Sequence, residues 1–150
     1  MRRRDRQLTE KEAMEILQQG EYGILSTMGS SYPYGVPVNY VVIDHVIYIH
    51  GSCEGGQKAE HINKNSNVCF TVVGATEVIA EKFGEKYESA IVFGKAKEVD
   101  AAAKEKALEA FLDKYSSEYK EAGMKYLHAA KDKVSVYGIA IEQITGKARR

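Results

Sequence analysis

The 150-residue chain has no tryptophan, two prolines and two cysteines, and its 21 Lys+Arg balance 21 Asp+Glu to a formal net charge of zero. Cys53 and Cys69 are too few for a disulfide framework or a zinc quartet. A neutral total withholds the basic footprint that nucleic-acid binding leaves on a whole domain, so no nucleic-acid partner is expected. No apolar run approaches the ~18–20 residues a helix needs to cross a bilayer, and no membrane partner is expected. The opening MRRRDRQLTE has no apolar stretch behind its arginines, which argues against a secretory signal and for the cytoplasm. A G-x-S-x-G elbow, an H-E-x-x-H helix and a local pair of acids are also missing. Any redox chemistry must then come from a cofactor, or the protein binds without turnover.

What is present suits a globular chain. Hydrophobic residues at 44% and charged residues at 28% argue against disorder, and the length fits one domain over residues 1–150. Charge is unevenly placed, with Arg2, Arg3, Arg4 and Arg6 at one end and Lys147, Arg149 and Arg150 at the other. These read either as an anion-binding arm or, more plainly, as solvated tails.

Thr9-Glu10-Lys11-Glu12 has the form of a capping box, and Ala13, Ile16 and Leu17 recur behind it at helical spacing up to Gly20. From Tyr22 the period changes. Tyr22–Thr27 and Val36–Ile43, separated by Gly29-Ser30-Ser31, read as an antiparallel hairpin, and Asp44-His45 turns the chain into a third strand, Val46–His50. Pro33 and Pro37 cannot donate ladder hydrogen bonds, so their strand must begin at an edge or carry a bulge. Gln57–Lys64 reads as a short helix, Val68–Val73, Glu77–Ala80, Ser89–Phe93 and Lys95–Val99 as strand segments. Asp100 is placed to cap a helix carrying Ala107, Leu108, Phe111, Leu112 and Tyr115; a further helix over Glu118–Ala130 precedes a last strand, Val134–Ile141. Connections of two to five residues are too short for parallel crossovers, so six or seven strands are expected in an antiparallel barrel with peripheral helices.

The stretch from Ile49 to Ala59 concentrates the candidate chemistry. A strand end delivers a glycine-rich loop that opens a helix, and free amides at a helix start attract anions. Lys58 places a positive charge in the first turn, the wrong sign for the dipole alone but the right one if a phosphate lies between them. A solvent-facing lysine is the plainer alternative. A rival reading takes His50, Cys53 and His61 as zinc ligands with Glu54 or Glu60 as a fourth, and Cys53 could also be a reactive thiol near a helix start. Cys69 reads as a small buried hydrophobe, and His45 and His128 as structural.

Taken together, Tyr32–Tyr40, Ile47–Gly51, Gln57-Lys58-Ala59, Asn67–Thr71 and Ser89–Lys95 resemble the NimA/NimC (5-nitroimidazole resistance) proteins among the pyridoxamine 5′-phosphate oxidase-like FMN-binding split barrels. The resemblance runs from about Arg6 to Lys147. It implies a mainly β fold, a six-stranded antiparallel split barrel that dimerises and holds FMN at the subunit interface. It places Pro37, Val38, Asn39 and Tyr40 beside the isoalloxazine ring, His50, Gly51, Ser52, Gln57 and Lys58 at the phosphate, and Ser89 where the oxidases often carry a glutamine reaching the flavin. No metal site is implied. Gln57 stands where the oxidases commonly have an arginine, and their C-terminal tryptophan and arginine are missing, which argues against vitamin B6 oxidation.

The implied function is an FMN-dependent oxidoreductase acting on a small-molecule substrate or electron acceptor. The alternative is a non-enzymatic flavin- or haem-binding protein for storage or delivery, with His50 the leading iron ligand. Val36–Ile43 and Ser89–Phe93 carry apolar residues on both faces, more than one interior can use, and the surplus points to a homodimer, the plainer alternative being that the helices at 101–130 cover it within one chain.

Overall fold

The computed structural model describes residues 3–150. Arg2 of the basic N-terminus lies outside them. Helix α1 (Glu10–Gln19) begins as its capping box requires: the Thr9 side chain accepts from the Glu12 amide at 3.3 Å while Glu12 Oε2 takes the Thr9 amide at 2.8 Å. Ala13, Ile16 and Leu17 form its buried stripe. Gly146 lets that stripe come close, since a Cβ there would fall 2.8 Å from the Ala13 Cβ.

The strands are β1 (Gln7–Leu8), β2 (Gly23–Met28), β3 (Pro33–Val38), β4 (Val41–Ile43), β5 (Val46–Ser52), β6 (Asn67–Ile79), β7 (Gly84–Glu98) and β8 (Val134–Arg149). All pairings are antiparallel, in the order β3-β2-β6-β7-β8-β5-β4, with β1 also on β8. The sheet curls so that Leu25, Ile47, Ile49, Phe70, Val72, Val92 and Ile139 meet in one closed core with α1. Burying each such side chain contributes roughly 1.5–3 kcal/mol. Edge strands β3 and β4 end the path without pairing to each other, which leaves the antiparallel barrel split.

Eight strands stand where the resemblance implied six, for two reasons. The segment 36–43 breaks at Asn39-Tyr40 into β3 and β4, and the short β1 adds itself to β8. The segments 68–73 and 77–80 belong to one strand interrupted by a bulge between Val73 and Thr76. Both prolines lie on edge strand β3, where a missing donor is harmless. Asp44 and His45 take positive φ of 48° and 61°, the two-residue turn whose twist matches β4 and β5.

Helix α2 (Gln57–Lys64) follows β5, and α3 (Ala101–Tyr115), capped by Asp100 accepting the Ala103 amide at 2.9 Å, packs with α4 (Lys120–Ala130) outside β5 and β8. Ala107 and Leu108 meet Val136 there, and Tyr48 and Leu127 flank them. The opposite outer face, on β2, β6 and β7, stays bare: Val73, Ile91 and Phe93 are 58%, 37% and 50% exposed. The register sets Phe93 beside Cys69, Ile91 beside Thr71 and Ser89 beside Val73 on that face. No helix is long and apolar enough to cross a membrane among the described residues.

Candidate functional site

The glycine-rich loop delivers what its sequence suggests. Gly55 and Gly56 sit at φ of 89° and 144°, a region glycine alone enters without strain, and Gly56 starts α2 with no side-chain cap. The first helical bond runs from the Glu60 amide to the Gly56 carbonyl at 3.0 Å. The amides of Gln57, Lys58 and Ala59 therefore have no intrahelical acceptor.

Lys58 lies half-buried beside them. Its Nζ donates to the His50 carbonyl at 2.8 Å, and burial lowers its pKa below the ordinary lysine value. No carboxylate stands within ion-pair distance of it among the described residues. Gly51 makes room for this pose, since a Cβ there would fall 3.1 Å from Nζ. A cavity of about 220 Å³ opens over the group, walled by Tyr34 and Val36 of β3, Gly51 and Ser52, the start of α2, and Tyr137 of β8. Three free amides and one uncompensated ammonium are the donor set that a phosphate dianion takes.

Of the residues picked from sequence, Gly51, Ser52, Gln57 and Lys58 come together at this cavity. Val38 shares the inward face of β3 with the wall residues Tyr34 and Val36; Pro37 points outward beside Ile24, and Asn39 is exposed at the break before β4. Ser89 is half-buried on the bare outer face, away from the cavity.

Two of the residues picked from sequence turn their side chains away from this cavity. The Tyr40 ring is wholly inside the core, edge-on to Phe70 at 4.9 Å, with its hydroxyl donating to the Leu17 carbonyl. Desolvation raises its pKa, and no ligand can reach it. The His50 ring points away from the cavity, edge-on to Phe111 of α3 at 4.9 Å, so only its carbonyl serves the site. Partial burial, helped by the Lys58 charge, lowers its pKa.

The zinc reading fails on geometry: no three His, Cys, Asp or Glu side chains converge among the described residues. His61 is buried, sharing a 2.9 Å hydrogen bond between Nδ1 and Thr27 Oγ1 and meeting Tyr34 edge-on. Cys53 is exposed, and Cys69 is half-buried on the bare face rather than in the core.

Sequence reasoning missed the cavity walls Tyr34, Val36 and Tyr137, and a clamp on the β3–β4 break. Lys114 donates to the carbonyls of Gly20 at 2.7 Å and Tyr40 at 2.9 Å, with its ammonium 3.9 Å from the Tyr40 ring centroid. Tyr115 accepts from the Tyr40 amide at 3.1 Å and donates to the Glu21 carbonyl at 2.6 Å. Tyr34 and Val36 were readable from their alternation with Val38; the clamp joins positions 74 residues apart and left no local signal.

Residues 9–148 match the pyridoxamine 5′-phosphate oxidase family. The chain belongs to that family. No curated protein matches it. Among solved structures it is similar to a candidate 5-nitroimidazole antibiotic resistance protein of Bacteroides thetaiotaomicron, at 24% identity over 95% of this chain and 86% of that one, with a TM-score of 0.75. It is similar to an FAD-binding protein of Mesorhizobium loti at 21% identity, covering 97% and 98% of the two chains, with a TM-score of 0.72. An FAD- and haem-binding protein of Mycobacterium smegmatis follows at 16% identity, 97% and 74% coverage and a TM-score of 0.73. At these identities the likeness shows a shared fold, the split barrel of the family.

Proposed function

We propose that this protein binds a flavin as FMN, at a site shared between two copies of the chain, and serves as an FMN-dependent oxidoreductase for a small-molecule substrate or electron acceptor. The observation that carries the reading is the α2 start, where three free amides and the Lys58 ammonium face one cavity. Family membership and the flavin-binding neighbours of M. loti and M. smegmatis support it. One helix start and one ammonium provide for a single phosphate, which favours FMN over a dinucleotide.

Lys58 and the amides of Gln57–Ala59 would hold the phosphate, with Gly51 and Ser52 forming the floor. Edge strand β3 offers the unpaired backbone groups of one side to the ring, and Asn39 offers a side-chain amide at its end. A bound flavin would supply the electron transfer that no side chain here provides. Ser89 and the apolar surface of Val73, Ile91 and Phe93 lie on the opposite face, so Ser89 would reach the flavin of a second copy packed against that surface.

The non-enzymatic haem reading needs His50 as iron ligand, and its imidazole is committed to the Phe111 side of β5. Flavin binding is therefore the reading the geometry favours. Purified protein titrated with FMN, FAD and riboflavin is expected to take up FMN stoichiometrically with a flavin absorbance spectrum, bind riboflavin more weakly, and pass electrons from a reduced nicotinamide to an acceptor. A protein that takes up no flavin would overturn the reading.

A further inference from the structure

Helices α3 and α4 are joined by a short connection and close tightly only near it. There Lys120 Nζ reaches Asp113 at 2.8 Å and Glu109 at 3.3 Å. Gly123 lets the two helices touch, since a Cβ there would fall 2.6 Å from Leu112 Cδ2. Toward their other ends a gap stands between them. No residue of α4 is fully buried, and Leu127 only flanks the small core of Ala107, Leu108 and Val136.

The gap is a cavity of about 170 Å³, partly open to solvent. Packed helices ordinarily fill such a space with their own side chains. Its apolar lining comes from Leu108 of α3 and from Met124 and Leu127 of α4, all buried or half-buried. A closed apolar cavity of about 150 Å³ holds a benzene molecule, so this one admits a ring or a branched alkyl group. Each wall also carries one cation and one anion: Lys104 and Glu105 on α3, Lys131 and Asp132 where α4 ends. None of these four is in an ion pair among the described residues. Exposed His128 stands beside them as a further polar group. A lone anion or cation would meet a charge of its own sign for each opposite one. A zwitterion complements both.

We propose that the cleft between α3 and α4 binds a small zwitterion with an apolar side group, the chemistry of an α-amino acid whose side chain is aromatic or branched aliphatic. The side group would lie against Leu108, Met124 and Leu127, while the ammonium and carboxylate meet the free charges of opposite sign beside them. The site shares no residue with the cavity at the start of α2 and stands whether or not flavin binds there. It also lies away from the bare face of β2, β6 and β7.

The test is a titration of the full chain followed by 1H–15N NMR, with L-phenylalanine and L-leucine, and separately with phenylacetate, phenethylamine and glycine. Ionic strength is held constant so that screening is not mistaken for binding. At least one of the two apolar amino acids is expected to give saturable shifts at the amides of 101–108 and 124–132. Phenylacetate and phenethylamine each lack one charge and glycine lacks the side group, so each should bind about threefold more weakly or worse. The Lys104→Gln/Lys131→Gln and Glu105→Gln/Asp132→Asn double variants should each weaken the bound amino acid about threefold or more, the modest loss that exposed charges allow. Met124→Gln, which makes the lining polar, should weaken it as well, and the dispersion of each spectrum reports that the variant folds. No saturable shift with either amino acid, equal binding of glycine, phenylacetate or phenethylamine, or an unaltered titration in both double variants would overturn the proposal.

Discussion

Lys58 lies across the bare Cα of Gly51 and donates to the His50 carbonyl at 2.8 Å, so one missing side chain sets where the ammonium stands beside the start of α2. Lys58→Ala is expected to weaken FMN binding about tenfold or more, because a charge-assisted hydrogen bond contributes ~1.5–3 kcal/mol, and to leave riboflavin nearly untouched. Gly51→Ala should show a smaller loss with the same ligand preference, since the flexible end of Lys58 can shift by a few tenths of an ångström. Equal weakening of FMN and riboflavin by fluorescence titration would show that Lys58 acts through folding instead.

Acid stability should carry a signature of His50. Its pKa is depressed from 6.5 by partial burial first and the Lys58 charge second. The unfolded chain therefore holds the proton to higher pH than the folded one. Stability gained from this group is present above 6.5 and is lost as pH falls through the lower folded value. Urea midpoints of the wild type should fall over that window, and the fall should be shallower in His50→Gln. Identical pH slopes in the two proteins would count against the assignment.

The Lys114 clamp predicts a stability effect at a half-buried lysine. Lys114→Met leaves the Gly20 and Tyr40 carbonyls without their shared donor, and the loss should be about 1–3 kcal/mol by chemical denaturation. Tyr115→Phe should cost less, because the Tyr40 carbonyl keeps Lys114, although the Tyr40 amide loses its acceptor. A midpoint unchanged in Lys114→Met would mean that solvent replaces the clamp.

The bare face predicts the assembly. Phe93 is 50% exposed beside Cys69 and close to Ile91. In a two-fold pairing a charge placed there meets the same patch of the partner. Phe93→Lys is expected to shift sedimentation toward the monomer and to weaken FMN in parallel. A monomeric wild type that still holds FMN tightly would remove the shared-site model.

Legibility followed the range of the interaction. The capping box at Thr9, the Asp100 cap and the Asp44-His45 turn depend on neighbours a few residues away, and each stands where the sequence put it. The last strand was cut short at Ile141 because β8 carries a bulge. The register passes from Phe93–Gln143 to Gly94–Ile141, so the core-facing set changes from Tyr137, Ile139 and Ile141 to Ile144, Gly146 and Ala148. An alternation that changes phase no longer reads as one strand. Gly94 permits the close approach there, where a Cβ would fall 2.2 Å from the Ala140 carbonyl oxygen.

At the site, the sequence by itself determined the glycine turn, the helix start and the lysine in its first turn, because all lie within a few residues and obey local backbone rules. Which way Tyr40 and His50 face, what walls the cavity and how Arg6 comes to lie beside Lys147 were decided only by the tertiary structure. Strand register and helix docking fix those relations across 74 residues between Lys114 and Tyr40 and across 81 between Arg6 and Tyr87. A side chain's direction along a strand has a period of two, so a single break or bulge reverses what faces a ligand and what faces the core.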